Sequence, residues 1–168
     1  ILTDLLAIPS PTGSESAVNA WCEQFIQSHM PPDNLIHSTD GMIAQWGHNS
    51  SKPTLAFVGH SDVVPEFFEP IIKDNALFGA GASDMKGGVA AFLDLIATHG
   101  QAIQSHYNIQ LIIYNREEGT PLPDNGLYGL FESHGHVLKS IDLAIIGEPT
   151  KNAIQLGCMG SLHAELTI

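Results

Sequence analysis

Positive charge is scarce in this sequence. Only six of its 168 residues are lysine or arginine, whereas 18 are aspartate or glutamate, so the net charge is −12 with neutral histidines. Arg116 is the single arginine. Proteins that bind nucleic acid need a basic surface to contact the phosphates. We therefore expect no nucleic-acid partner for this chain.

Long hydrophobic runs are missing as well. No segment approaches the roughly 20 consecutive apolar residues that span a bilayer, and we expect no membrane partner. The two cysteines, Cys22 and Cys158, lie far apart and form no metal-type cluster. This usage is consistent with a reducing, cytoplasmic location. Nine histidines in an acidic chain are the unusual feature, because imidazole and carboxylate are the ligands of zinc and similar cations.

Apolar patterning predicts alternating strands and helices. Residues 12–15 have the sequence of a capping box that would begin the first helix. Strands separated by helices predict an α/β fold, in which a mostly parallel sheet is covered by helices on both faces. The patterns are helical over 18–26, 85–98 and 125–133, typical of buried strands over 54–58, 109–114 and 143–146, and typical of a hairpin over 35–37 and 42–46.

The pattern changes near Gly157. Residues 161–168 alternate like a half-exposed antiparallel strand that has no partner in the sequence. The first residue is Ile1 rather than methionine. We interpret the chain as a fragment of a longer protein.

Each predicted buried strand is followed by an ionisable group. His60 follows the first, Glu117 and Glu118 follow the second, and Glu148 follows the third, while Asp84 stands where a glycine-rich loop enters a helix. Ligands bind at the carboxyl ends of strands in open α/β sheets, so these groups are expected to converge. One imidazole with several carboxylates suits Zn²⁺, with Mn²⁺ or Co²⁺ as substitutes. A carboxylate between two cations can bridge them.

Each of these residues also has an ordinary structural interpretation. His60 could cap a strand, Asp84 could be a helix N-cap, and Glu148 could simply end a strand. Glu117 and Glu118 could form a solvated loop pair, although their mutual repulsion at the end of a buried strand would be relieved by a cation. Asp62 favours the metal site, because its carboxylate can accept the second imidazole N–H of His60 and fix the tautomer.

Four motifs follow one another along the chain: His60–Pro65, Gly79–Gly88, Glu117–Gly119 and Gly147–Thr150. Their order resembles that of a family of dinuclear zinc metallopeptidases, and the resemblance covers essentially the whole chain. The family includes succinyl-diaminopimelate desuccinylase, acetylornithine deacetylase, aminoacylase and glutamate carboxypeptidase. Segments 83–87 and 157–162 are most similar to the desuccinylase branch.

The resemblance implies a role for each site residue. His60 and Glu148 would bind one zinc ion, and Glu118 would bind the other. Asp84 would bridge the two ions, and its peptide bond to Met85 would be cis. Asp62 would orient His60, and Glu117 would be the general base in hydrolysis of an amide bond.

The resemblance also implies partners and missing parts. The substrate would be a small N-acyl amino acid, and the full-length protein would be a cytoplasmic homodimer with two zinc ions per subunit. Residues 1–157 would form the N-terminal part of the catalytic domain, and residues 158–168 the first strand of a truncated lid and dimerisation domain.

The resemblance further implies a distal histidine ligand near the end of a chain about twice this length, and no histidine of this chain has a matching motif. His134 and His136 lie in a polar stretch that we expect to face solvent. The single Arg116 cannot account for binding a dicarboxylic substrate. A related deacylase, a carboxypeptidase, or a catalytically silent metal-binding module therefore remain alternatives, and we expect the fragment itself to be inactive.

Overall fold

A mixed five-stranded sheet forms the centre of the computed structural model, which describes residues 1–64 and 66–157. Helices α1 and α2 precede the sheet, and a short 3-10 turn at Leu122–Asp124 precedes α4. In chain order the elements are α1 (Leu2–Leu6), α2 (Ser16–His29), β1 (Asn34–Ser38), β2 (Gly41–Trp46), β3 (Thr54–His60), β4 (Ile71–Lys73), β5 (Ala76–Phe78), α3 (Lys86–Gln104), β6 (Asn108–Tyr114), α4 (Gly126–Leu138) and β7 (Leu143–Ile146).

The parallel part of the sheet consists of its three neighbouring strands β6, β3 and β7. The strand order is β1-β2-β6-β3-β7, and β3 pairs in parallel with both of its neighbours. Strand β2 pairs antiparallel with β1, because the short turn at Thr39-Asp40 returns the chain directly, and it also pairs antiparallel with β6. The predicted parallel core is confirmed, and the predicted hairpin forms its antiparallel edge.

Helices cover both faces of the central strands, as predicted. The prediction that 143–146 is a buried strand is wrong, because β7 lies at the edge of the described sheet and all four of its residues are exposed. On one face α2 and α3 pack against alternate residues of β6, including Leu111 and Ile113. On the other face Ile112 and Tyr114 of the same strand pack against α4. This alternation follows from the two-residue period of a strand, and it gives the sheet one apolar core on each side.

The predicted capping box is wrong. Helix α2 begins at Ser16, and its N-cap Glu15 makes no side-chain capping bond. The carboxylate of Glu15 instead accepts hydrogen bonds from the backbone N–H groups of Gly13 and Arg116, and the Thr12 hydroxyl donates to Asp62. The two side chains therefore join segments about 50 and 100 residues away in sequence and do not cap the helix.

Several boundaries also differ from the sequence pattern. Helices α3 and α4 continue six and five residues past their predicted ends at Thr98 and Ser133. Helix α1 and the β4–β5 hairpin are too short for a periodic signal, with three residues in each strand.

Among the described residues, no helix combines the length and the hydrophobicity that a membrane span requires. The predicted strand at 161–168 and the boundary at 158 lie outside the described residues.

The central strand makes a stability prediction. Leu111 is fully buried between β2, β3 and the α2–α3 layer, so Leu111→Ala should lower the free energy of unfolding by about 2–5 kcal/mol. The same change at exposed Leu122 should cost less than about 0.5 kcal/mol. Urea denaturation measures both values, and equal effects would contradict this assignment of the core.

Candidate metal centre

The parallel strands end at one edge of the sheet and bring the predicted site residues together there. His60 is the last residue of β3 and lies beside Tyr114, the last residue of β6. Glu117 and Glu118 follow β6 within four residues, and Glu148 follows β7 within two. All six predicted residues meet at this edge, since Asp62 and Asp84 reach it from the loops after β3 and before α3.

His60 lies at the centre of the cluster, and its side chain is completely buried. Its Nδ1 lies 2.9 Å from the carbonyl oxygen of Asp62, which can only accept a hydrogen bond, so Nδ1 carries the proton. When the ring is neutral, this hydrogen bond therefore leaves Nε2 unprotonated and able to bind a cation. Nε2 lies 3.1 Å from Asp84 Oδ1 and 3.9 Å from both Glu117 Oε2 and Glu148 Oε1.

One group of side chains has the spacing of a cation site. Single ligand atoms of His60, Asp84 and Glu118 all lie within 4.8 Å of one another. The peptide bond between Asp84 and Met85 is cis, as predicted. Met85 is fully buried beneath the cluster, and its sulfur accepts the backbone N–H of His60 at 3.1 Å.

Asp62 does more than the sequence analysis predicts. Its carbonyl oxygen, rather than its carboxylate, is the nearest partner of His60, and the carboxylate Oδ1 lies 3.4 Å from Nδ1. The carboxylate accepts the backbone N–H groups of Glu117 and Glu118 at 2.9 Å each, and the hydroxyl of Thr12 at 2.9 Å. Asp62 therefore holds both the imidazole ring and the loop that carries the two glutamates.

The electrostatics of the cluster follow from one buried imidazole among several acids, of which Asp62 is fully buried and the others are partly exposed. Burial lowers the pKa of His60, but the hydrogen bond and charge of Asp62 and the nearby Glu148 and Asp84 outweigh it and raise the pKa to about 9. Burial raises the pKa of Asp62, yet its hydrogen bonds from His60, Glu117, Glu118 and Thr12 lower it to about 2.

The pKa values of Glu148 and Glu118 are raised, unlike that of Asp62. Burial and the charges of Asp84 and Glu117, only partly offset by His60, raise the pKa of Glu148 to about 7. Burial and the charge of Asp84 also raise the pKa of Glu118. The metal-free site therefore holds extra protons, because its carboxylates have too little positive charge around them.

These residues fit a divalent cation. A cation at this edge would replace the protons and let the carboxylates ionise together. One buried imidazole with carboxylate oxygens is a donor set typical of zinc, cobalt and manganese. The fit rests on the convergence of Nε2 of His60 with oxygens of Asp84, Glu118 and Glu148, three segments that are far apart in sequence.

Other polar residues are engaged elsewhere. Arg116 donates to the carbonyl oxygens of Thr39 and Asp124 at 3.0 and 2.9 Å and pairs with the carboxylate of Asp40. Its side chain is thus used within the fold. His136 is exposed on α4, as predicted, whereas His134 is half-buried at a kink in that helix.

Comparisons with known proteins identify the family of this chain. Residues 56–161 match the profile of peptidase family M20/M25/M40. A succinyl-diaminopimelate desuccinylase of Marinobacter nauticus is 37% identical over 89% of this chain and 44% of its own length. That of Psychromonas ingrahamii is 34% identical over 100% of this chain and 48% of its own length. The chain spans about half the length of these curated relatives.

A solved structure shows the same fold. An M20 family metallo-carboxypeptidase from Sulfolobus solfataricus superposes with a TM-score of 0.70 and 23% identity, covering 87% of this chain and 36% of that protein. The family profile covers most of the described parallel sheet and every site residue from His60 to Glu148. The chain belongs to peptidase family M20/M25/M40.

Proposed function

We propose that this chain is the N-terminal part of a zinc-dependent amide hydrolase that releases succinate from N-succinyl-LL-diaminopimelate. The observation that carries the proposal is the convergence of His60 with Asp84, Glu117, Glu118 and Glu148 at one sheet edge. Two relatives named succinyl-diaminopimelate desuccinylase, at 37% and 34% identity, support the choice of substrate.

The proposed ligand sets divide the cluster between two zinc ions. His60 and Glu148 bind the first ion, Glu118 binds the second, and Asp84 contributes to both. The 3.9 Å distance from His60 Nε2 to Glu148 Oε1 supports the first set, and the spacing of Asp84 and Glu118 supports the second. Cobalt or manganese would suit the same oxygen and nitrogen donors.

Glu117 is the proposed general base. Its Oε2 lies 3.9 Å from His60 Nε2, so the carboxylate faces the centre of the ligand set and is partly open to solvent. The chemistry that the bound cations supply is polarisation of the amide carbonyl and a lower pKa for water. Glu117 accepts a proton from the attacking water and delivers it to the leaving amine, while Asp62 keeps the loop in place.

The proposal extends to the surroundings of the catalytic part. We place the enzyme in the cytoplasm as a homodimer, with residues from 158 onward beginning a lid and dimerisation domain. The length of the curated relatives, about twice that of this chain, supports a larger complete protein. Since Arg116 is already paired with Asp40, groups outside this chain would bind the substrate carboxylates.

A substrate panel and a base variant test the reaction together. The complete, zinc-loaded protein should release succinate from N-succinyl-LL-diaminopimelate faster than acetate from N-acetylornithine or amino acids from dipeptides. Glu117→Gln should lower kcat by about 10²- to 10⁴-fold, because it removes the base, and should leave zinc content near normal. Glu132→Gln on the exposed face of α4 is the matched control.

The outcomes of that panel separate the alternatives. Preferential turnover of the acetylated or peptide substrate would move the assignment to another deacylase or a carboxypeptidase. Binding of zinc without turnover of any substrate would support a catalytically silent module. Loss of zinc from Glu117→Gln would overturn the assignment of Glu117 as base.

Metal binding depends on His60 in the 168-residue chain itself. We expect this chain to hold one zinc ion tightly, and His60→Ala should lower its affinity by more than about tenfold, because a ligand is lost rather than an outer partner. His136→Ala, which removes an exposed histidine, should leave the affinity unchanged. Competition with a chromophoric chelator measures both, and two tightly held ions in the wild-type chain would contradict the assignment.

Zinc affinity should rise with pH because zinc displaces protons. Below about pH 7 both His60 and Glu148 are protonated, with pKa values of about 9 and about 7. The logarithm of the zinc association constant should therefore rise by about two per pH unit near pH 6 and by about one near pH 8. Calorimetry in buffers of different ionisation enthalpy counts the released protons, and a pH-independent constant would contradict the prediction.

The metal-free chain should lose stability towards both high and low pH. The folded pKa of His60 is raised above its ordinary value of 6.5, so its contribution is complete below about pH 6.5 and is lost as pH rises through about 9. The pKa of Asp62 is lowered, so its contribution is complete above about pH 4 and is lost as pH falls towards 2. Thermal unfolding in the presence of a chelator measures both limbs.

A further inference from the structure

The chain between α1 and α2 touches the loop that follows His60. The hydroxyl of Ser10 donates to the carbonyl oxygen of Ser61 at 2.8 Å, and the backbone N–H of Val63 donates to the carbonyl oxygen of Ser10 at 2.9 Å. Thr12 extends this contact to Asp62, whose carboxylate accepts its hydroxyl at 2.9 Å. This connecting segment, residues 7–15, therefore braces the strand end that carries the metal-binding imidazole.

The same part of the chain is tied to the loop that carries Asp84. Lys86 is 1% exposed, although it bears an ammonium group. Its Nζ donates to the carbonyl oxygens of Leu5 and Ile8 at 2.9 and 2.7 Å. Lys86 follows Asp84 by two positions in sequence, so these bonds tie the end of α1 to the loop that carries Asp84.

A buried carboxylate connects the segment to the glutamate pair. Glu15 is 4% exposed, and its Oε1 accepts the backbone N–H groups of Gly13 at 2.6 Å and Arg116 at 3.1 Å. Asp62 accepts the next two backbone N–H groups, those of Glu117 and Glu118. Three successive N–H groups thus donate to two buried carboxylates. Successive backbone N–H groups in a turn often bind anions in this way.

These hydrogen bonds from the backbone of 116–118 to Glu15 and Asp62 form a clamp on the loop. The charges of the cluster explain why the loop has to be held. Glu117 and Glu118 are adjacent in sequence and share their surroundings with the carboxylates of Asp84 and Glu148. Without a cation, repulsion favours a loop that swings these side chains into water. Hydrogen bonds to the backbone resist that motion without using the side chains, so the carboxylates stay free to bind or to accept a proton.

We propose that Thr12 and Glu15 are positioning residues for the metal centre, acting through Asp62 and through the backbone of Arg116. They hold residues 116–118 in the conformation that directs Glu117 and Glu118 towards His60. The roles of those two glutamates rest on the proposed function, whereas the clamp on the loop backbone does not. Sequence periodicity assigns Thr12 and Glu15 to a helix cap, and their long-range partners give them this different role.

Paired variants separate the hydrogen bonds from the bulk of the side chains. Thr12→Val keeps the shape of a half-buried side chain and removes its donor, while Thr12→Ser restores the donor. Glu15→Ala removes the acceptor, while Glu15→Gln keeps one oxygen, which suffices because both bonds go to Oε1. Asp142→Ala is the matched control, because Asp142 accepts the backbone N–H of Thr54 at the opposite end of β3.

Two measurements read the clamp and its consequence. Amide hydrogen exchange at residues 116–118, followed by NMR in the metal-free chain, should accelerate about five- to tenfold in Thr12→Val and Glu15→Ala. Cobalt affinity, measured by chelator competition, should fall about 10- to 100-fold in the same variants, with a changed visible absorption spectrum of the bound Co²⁺. Thr12→Ser and Glu15→Gln should restore both readouts, and Asp142→Ala should lower only the unfolding temperature.

Opposite results would overturn the proposal. If Thr12→Val and Glu15→Ala lower the unfolding temperature like Asp142→Ala but leave exchange at 116–118 and the cobalt spectrum unchanged, the two residues are merely structural. If Glu15→Ala fails to fold, the isosteric Thr12→Val decides. If the wild-type chain binds no cobalt, the proposed function fails, and the exchange measurement still decides whether the clamp exists.

Discussion

The buried carboxylate of Asp62 is the contact on which the arrangement of this site depends. It receives hydrogen bonds from two backbone amides after β6 and from a hydroxyl before α2, and it lies beside the imidazole at the end of β3. A fully buried anion is costly unless it is hydrogen-bonded, and three donors together with the adjacent imidazole meet that requirement here. The same bonds that stabilise Asp62 therefore lock three separate segments of the chain at fixed distances.

Electrostatics then explain why the site selects a cation. The cluster contains one imidazole and several carboxylates, and the only arginine of the chain is turned away towards Asp40. The surrounding negative charge raises the pKa of His60, and burial together with that charge raises the pKa of Glu148, so the cluster holds extra protons when no metal is bound. A divalent cation would place two positive charges at the centre of the same groups. Folding gathers the carboxylates against their mutual repulsion, and the bound cation would relieve that repulsion.

The success of sequence-based prediction varied with the range of the interactions involved. The apolar runs before His60, Glu117 and Glu148 are strong signals for strands, because a strand inside a covered sheet is continuously hydrophobic. All three strands form, but residues 143–146 are exposed at the sheet edge rather than buried. The motif 12–15 misled, because a capping box is a local pattern while the partners of Thr12 and Glu15 lie about 50 and 100 residues away. Short elements such as the β4–β5 hairpin carry no periodicity and were missed for that reason.

The sequence by itself determined which chemical groups stand at the ends of which strands, since each group directly follows an apolar run or a glycine-rich loop. It also determined the alternation that places one core on each side of the sheet. Only the tertiary structure decided that β3 lies between β6 and β7, and that Asp62 binds the loop backbone as well as the imidazole. The physical reason is that strand order and long-range hydrogen bonds depend on packing between distant segments, which no local pattern of residues encodes.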